Sequence, residues 1–257
     1  MSDGPELDPS AVVAKWQEIA PGIDKMAQRI ADPNDFPISP GSSLSGDDKA
    51  SRPYQVSHAA RMCLVVGVDH LQAVKALFVD LHVLHAAAPF SLVRGSLENL
   101  SAAFWILHPK ARNQRIERAL RWHAKNFHEQ YMALEPLGLI DEAQRDAKLA
   151  KLAAVATPRG ISTQDVRAGY RSSRAVRYAE EHSTRSDRPL LFWQLCSGYA
   201  HGRQWAYLGM SEQEHFATAD PGVLNVQLTT DPGRLLFPTL AAYQLLIDVV
   251  ELLQQRS

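Results

Sequence analysis

Two polar residues spaced one helical turn apart, Ser197 and His201, are the first candidates for chemistry. They lie in segment 196–203, whose sequence is CSGYAHGR. Residues four apart share a face of a helix. Histidine titrates near neutrality, so His201 suits a general acid or base, and Ser197 is the nucleophile it could activate. The alternative is a core histidine that is hydrogen-bonded to a neighbouring helix.

A second pair, Arg94 and Glu98, shows the same spacing within an apolar helical segment. A guanidinium on an apolar face needs a carboxylate or several acceptors, and Glu98 is placed to provide one. The pair either braces helix packing or lines a pocket. We combine the two clusters into one predicted polar site. Its candidate catalytic residues are His201, Arg94 and Glu98, and its candidate ligand-binding residues are Ser197, Tyr199 and Arg203.

The spacing of the histidines raises the question of a metal site. His82 and His85 are three apart, a spacing that helical metal sites use. The sequence has no HExxH motif and no paired Glu-x-x-His repeat. We therefore predict no metal and no cofactor.

A basic stripe marks the segment 110–134. Its cations, spaced three or four apart, are Arg112, Arg115, Arg118, Arg121 and Lys125. Such a stripe can contact a nucleic-acid backbone, which makes RNA an alternative partner. Glu117 and Glu129 dilute the charge, which favours a solvated helix face.

The elements that must position these residues are helices. The chain is 46% apolar and 21% charged, with a formal net charge of -1, so bulk charge favours neither nucleic acid nor an anionic membrane. Apolar residues recur every three or four positions, which predicts helices. The predicted helices are 11–31, 54–85, 90–107, 110–134, 141–156, 163–181, 188–208 and 235–255.

The predicted fold is all-α, an antiparallel bundle of about seven helices with at most a short β-hairpin near 223–230. We divide the chain into an N-terminal helix and flexible loop, 1–52, and a helical bundle domain, 53–257. Charged residues interrupt the longest apolar stretches and the N-terminus has no apolar leader. This predicts a cytoplasmic protein without a membrane partner.

The Arg94–Glu98 element, followed about a hundred residues later by Ser-x3-His-Gly at Ser197 to Gly202, resembles all-helical bacterial proteins of the broad HEPN-like type. That resemblance implies a helical bundle, a homodimer and RNA-cleaving relatives. Their active site has an arginine ahead of a histidine on one helix. Here the corresponding positions before His201 hold cysteine, leucine and glutamine at 194–196.

The leading functional prediction is a binding or interaction module with a polar pocket for a protein or small-molecule partner. One alternative is a HEPN-like, metal-independent ribonuclease of the toxin or phage-defence type. In it His201 acts as acid and base, and Arg203 or Arg94 stabilises the phosphate. Another alternative is a structural protein that forms a homodimer through an exposed apolar face.

Overall fold

The computed structural model describes residues 8–257, and residues 1–7 of the predicted N-terminal segment lie outside the described part. The helices are α1 Pro9–Ala31, α2 Ser43–Ser51, α3 Val56–Lys75, α4 Ala88–Leu107, α5 Arg112–Leu134, α6 Glu142–Ala156, α7 Thr163–Ala168, α8 Ser172–His182, α9 Pro189–Ala200, α10 Gln204–Met210 and α11 Pro232–Arg256. A π-helical turn, Ala76–Asp80, extends α3. The strands are β1 Glu212–Ala217 and β2 Leu224–Thr229.

The all-α class is confirmed, since the structure is 73% helical. The helix number is higher than predicted, with eleven α-helices in residues 8–257. Two predicted helices are divided. Gly169, at φ +70°, separates α7 from α8, and Gly202, at φ +63°, lies between α9 and α10. Glycine adopts this left-handed conformation without steric cost, so each break coincides with a glycine.

The central helix is α4. Its apolar residues surround the axis and are buried, including Phe90, Val93, Leu100 and Ile106. A helix that is apolar on all sides belongs inside the core. The helices α3, α5, α8, α9 and α11 pack against it. Because α4 also carries Arg94 and Glu98, the fold places this ion pair next to several other helices.

The first helix shares the same core. The indole of Trp16 is buried, and its Nε1 donates to the carbonyl oxygen of Pro232 at 3.2 Å, which joins α1 to α11. The helix runs through Pro21, where the sequence predicts a break or kink. Pro21 is exposed, so water can reach the carbonyl that its missing N–H leaves unpaired.

The prediction of an uninterrupted flexible loop over 32–52 is wrong, because α2 lies within it. The side chain of Ser42 accepts the backbone N–H of Ser45 and caps this helix. Its buried Asp47 pairs with Arg115 of α5. A long-range ion pair therefore anchors a helix whose own composition is polar.

The prediction of a solvated basic face on α5 is also wrong in part. Arg115 is 2% exposed. Arg118 donates from Nη1 to the carbonyl oxygen of Trp105 at 2.6 Å and lies over the ring of Tyr178. Arg121 donates from Nε to the carbonyl oxygen of Gly169 at 2.9 Å. These guanidinium groups tie α5 to its neighbours.

The predicted hairpin forms an antiparallel pair in which β2 covers most of the expected range. The cross-strand pairs include His215 with Val226 and Ala217 with Leu224. Side chains two residues apart on a strand point to the same face of the sheet, so Leu224, Val226 and Leu228 share a face. Leu224 and Val226 are exposed, and the hairpin therefore projects from the helical core.

Two apolar segments, Val56–Asp80 and Pro232–Arg256, are long and apolar enough to cross a membrane by length and composition alone. Buried core helices meet the same criterion, and both segments contribute to the core here. The absence of a membrane partner accordingly stays a prediction.

Candidate functional site

The candidate site is formed by the turn between α9 and α10. Helix α9 ends at Ala200, and the backbone N–H of His201 donates to the carbonyl oxygen of Ser197 at 3.1 Å. Gly202 then reverses the chain at positive φ. The N–H of Arg203 returns to the carbonyl oxygen of Gly198 at 2.8 Å. This turn places Arg203 beside the last turn of α9.

Gly198 sets the distance between α9 and α10. A Cβ atom at this position would lie 2.5 Å from Cβ of Ala206 and 3.0 Å from Cζ2 of Trp205. Only a residue without a side chain permits this approach. The glycine at this position thus permits close packing of α9 and α10, and it positions the indole of Trp205.

A cavity of about 290 Å³ opens at this turn. It is lined by Trp193, Gln194, Ser197, Gly198, His201, Arg203 and Trp205. Three of the sequence-predicted site residues are therefore brought together, namely Ser197, His201 and Arg203. Trp193 and Trp205 were not among the predicted site residues. Their position on either side of the predicted site, four residues before Ser197 and four after His201, was the one available signal.

The Arg94–Glu98 pair reaches this cavity through Trp193. Nη2 of Arg94 lies 3.2 Å from Oε2 of Glu98, and Nε1 of Trp193 donates to the same oxygen at 3.2 Å. The Arg94 guanidinium also lies 5.7 Å from the centroid of the Trp193 ring. Both side chains thus hold one cavity-lining indole in place. Neither of them belongs to the lining itself.

Tyr199 occupies a different environment from the rest of the predicted site. It is 2% exposed, and its ring stacks on Phe90 with centroids 4.0 Å apart. Its hydroxyl is hydrogen-bonded to Oγ of Ser211 at 2.9 Å. Burial raises the pKa of this phenol. Tyr199 joins α9 to α4 and to the start of β1, so we leave it out of the candidate site.

Comparisons with known proteins find no family model, no curated protein and no solved structure that matches this chain. The HEPN-like resemblance stays a prediction.

The geometry favours binding over nucleophilic catalysis. Among residues 8–257 the side chains of Ser197 and His201 make no hydrogen bond to each other, so the hydroxyl is not paired with the imidazole in this structure. Arg203 is exposed, and the described residues give its guanidinium no partner. The lining thus combines an available cation, an imidazole and two indole rings.

Two other polar clusters lie outside this cleft. A larger cavity of about 540 Å³ lies at the turn between α5 and α6, where Asp141 and Gln144 already form a capping box.

Nδ1 of His108 lies 2.8 Å from the hydroxyl of Tyr178, and the ring of Tyr178 stacks on His182. Burial and the neighbouring cations lower the pKa of His108. Among the described residues no cluster of three or more metal-ligating side chains occurs.

Proposed function

We propose that this protein is a binding module whose α9–α10 cleft takes a small molecule with a planar ring and an anionic group. The supporting observation is that Arg203 and His201 line the same cavity as Trp193 and Trp205. Arginine is suited to carboxylate and phosphate groups, and indole rings to planar apolar groups. Ser197 adds a hydroxyl that can donate or accept.

The size of the cleft limits the ligand. Its volume of about 290 Å³ lies at the lower end of small-molecule sites, which suits one aromatic ring with one charged substituent. The indole of Trp205 is 57% exposed, so a ligand that covers it also removes apolar surface from water. Arg203 then supplies the charge that orients the ligand.

Phenyl phosphate is a suitable probe, with phenol and inorganic phosphate as its two separate halves. We expect saturable binding of phenyl phosphate by calorimetry and by tryptophan fluorescence, and much weaker binding of either half. Arg203→Gln should weaken binding about tenfold, since it removes one charge-assisted contact. Arg188→Gln is the matched control, because Arg188 is also exposed and lies outside the cleft.

Two results would contradict this proposal. One is the absence of binding by phenyl phosphate up to millimolar concentration. The other is equal binding by the Arg203→Gln variant and the wild type. Retained binding in Trp205→Phe would not count against it, because phenylalanine keeps a planar ring in the cleft.

A ribonuclease is the second candidate, and the shared position of His201 and Arg203 on one cavity favours it. In this reading His201 moves the proton of the attacking hydroxyl, and Arg203 stabilises the phosphate charge. Labelled RNA should then be cleaved by the wild type without added metal. Cleavage that persists in His201→Ala would exclude this role.

A homodimer is the proposed assembly, supported by the exposed apolar face of the hairpin. The free edge of β2, sequence LNVQLT, carries no charge and no proline. Such an unprotected edge pairs readily with another strand, and two copies of β2 meet without like-charge repulsion. Sedimentation should give a dimer at micromolar concentration, and Val226→Lys should shift it to monomer. A monomeric wild type would contradict the assignment.

A further inference from the structure

A second surface, separate from the α9–α10 cleft, carries four closely spaced arginines, which Glu180 and Glu181 follow at the end of α8. The segment 167–177, which runs from the end of α7 into α8, has the sequence RAGYRSSRAVR. It contains four arginines and no acidic residue, in a protein whose formal net charge is -1. Charge is therefore strongly concentrated in this one short segment.

The packing of α8 turns the arginines outward. Ala175, Val176 and Ala179 are its buried residues and face the core. Arg171, Arg174 and Arg177 occupy the opposite side and are exposed. Arg174 and Arg177 are three residues apart on α8, which corresponds to about 4.5 Å along the axis, and Arg171 is the N-cap residue that precedes the helix. The result is a regular row of positive charge, called the arginine row below.

The arginine row has no structural task in the described residues. The side chains of the three arginines of the row, and that of the preceding Arg167, make no ion pair, hydrogen bond or ring contact there. The cations of the adjacent α5 behave differently. There, Arg118 and Arg121 donate to backbone carbonyls, as described above. Four exposed guanidinium groups are thus available to a ligand.

Aromatic rings lie at the end of the row. Tyr178 follows Arg177 directly, and its ring stacks on His182 with centroids 4.0 Å apart and planes 16° apart. His182 is exposed, and its Nδ1 is held by the carbonyl oxygen of Tyr178 at 3.0 Å. A fixed, exposed ring beside a row of cations is an arrangement on which bases of a single strand can stack.

We propose that the arginine row binds the phosphodiester backbone of single-stranded nucleic acid, with His182, whose ring is stacked on Tyr178, as the exposed stacking surface. Evenly spaced charges fit a chain of phosphates better than a single small anion. Arginine matches phosphate oxygens in two-point geometry. The described segment 163–182 exposes no large apolar side chain, and a membrane-binding helix needs such a face.

The test is fluorescence anisotropy with a labelled oligouridylate and the equivalent oligodeoxyuridylate, each about twenty nucleotides long, over a series of salt concentrations. Arg171→Gln/Arg174→Gln/Arg177→Gln should weaken binding at least tenfold at low salt. It should also reduce the salt slope of log affinity by about 2, since each single-strand phosphate contact contributes about 0.7. Preference between the two oligonucleotides identifies the sugar that is recognised.

The matched control removes three exposed cations elsewhere, Lys25→Gln/Arg52→Gln/Lys151→Gln, and has the same net charge as the test variant. It should keep the wild-type affinity within about twofold. Equal losses in both triple variants would overturn the proposal, because they would show a non-specific charge effect. Equally tight binding of a polyglutamate of the same length would also overturn it, by assigning the surface to acidic protein segments. If the triple variant loses its helical circular dichroism, the three single substitutions carry the test, each with an expected weakening of about two- to fivefold.

Discussion

The carboxylate of Asp47 and the guanidinium of Arg115 form a buried two-point ion pair between α2 and α5. Nε of Arg115 lies 2.6 Å from Oδ2 of Asp47, and Nη2 lies 2.9 Å from Oδ1. The remaining donors of Arg115 reach the carbonyl oxygens of Pro109 and Lys110 and the hydroxyl of Ser43. All charge in this buried pair is thus compensated.

Removal of one partner should be strongly destabilising. In Asp47→Ala the guanidinium of Arg115 stays buried without its carboxylate, and we expect the free energy of unfolding to fall by about 3–5 kcal/mol. Urea denaturation followed by circular dichroism measures this change. Arg112→Gln is the control, because Arg112 contacts the same carboxylate but is 57% exposed and should cost less than about 1 kcal/mol. Equal losses in the free energy of unfolding would show that the buried pair contributes no more to stability than the exposed Arg112 contact.

Gly198→Ala should disturb the candidate cleft directly. The new methyl group would overlap Ala206 and push Trp205 away, with a cost of about 1–3 kcal/mol from overpacking. Tryptophan emission should also shift as Trp205 moves. Gly209→Ala is the matched control in α10, since nothing lies within 4 Å of its added Cβ. That variant should be as stable as the wild type or more stable, because alanine favours a helix. A Gly198→Ala protein with unchanged stability and emission would contradict the close approach of α9 and α10.

Acid should destabilise the protein through His123. Burial, and secondarily the charge of His58, lower its pKa from 6.5 to about 4. The unfolded chain therefore binds a proton between about pH 6.5 and 4 that the folded state does not bind. Stability from the neutral imidazole is present above pH 6.5 and decreases towards pH 4, by up to about 3 kcal/mol. Urea midpoints over this range measure the effect.

The variant His123→Phe identifies the source of that dependence. It should lose stability less steeply with acid than the wild type, while His85→Gln, at an exposed histidine, should follow the wild-type curve. Part of the dependence should persist, because the pKa of His108 is lowered as well. Identical pH profiles for His123→Phe and the wild type would exclude His123 as a contributor.

Both thiols should be unreactive in the folded protein. Cys63 and Cys196 are free and buried. Burial raises the pKa of Cys63 to about 12 and raises that of Cys196 as well. Little thiolate exists at about pH 8, and the thiolate is the reactive form. Ellman's reagent should detect no thiol within minutes in buffer and both thiols in guanidinium chloride. Rapid reaction of one equivalent in buffer would show that the core opens readily.

Helix positions followed closely from the sequence where apolar periodicity is continuous. The segment predicted over 90–107 corresponds to Ala88–Leu107, and the one over 235–255 to Pro232–Arg256. The prediction failed for Ser43–Ser51, which has no apolar period and depends on the contact of Asp47 with a distant helix. It also joined α9 to α10 across Gly202, because one glycine is compatible with a helix until its φ is known.

The candidate site likewise combines features that local sequence predicts with features that depend on contacts between distant residues. Ser197 and His201 could be selected from sequence, because their spacing on one helix is a local property. The sequence did not predict that Arg203 and Trp205 line the same cavity as these two residues. That arrangement depends on the turn at Gly202 and on the close contact at Gly198. The Arg94–Glu98 pair could be predicted from spacing alone. The hydrogen bond from Trp193 to Glu98 could not, because it joins two helices that are distant in sequence.

The sequence by itself determined the all-α class, the main core helices and the Arg94–Glu98 pair, since these depend on local periodicity. Only the tertiary structure decided which arginines make contacts inside the protein and which are exposed without a partner among residues 8–257. Arg115 and the arginines of 167–177 look alike in sequence. Arg115 is buried against Asp47, whereas the arginines of 167–177 face outward, because burial depends on which distant helix packs on each face.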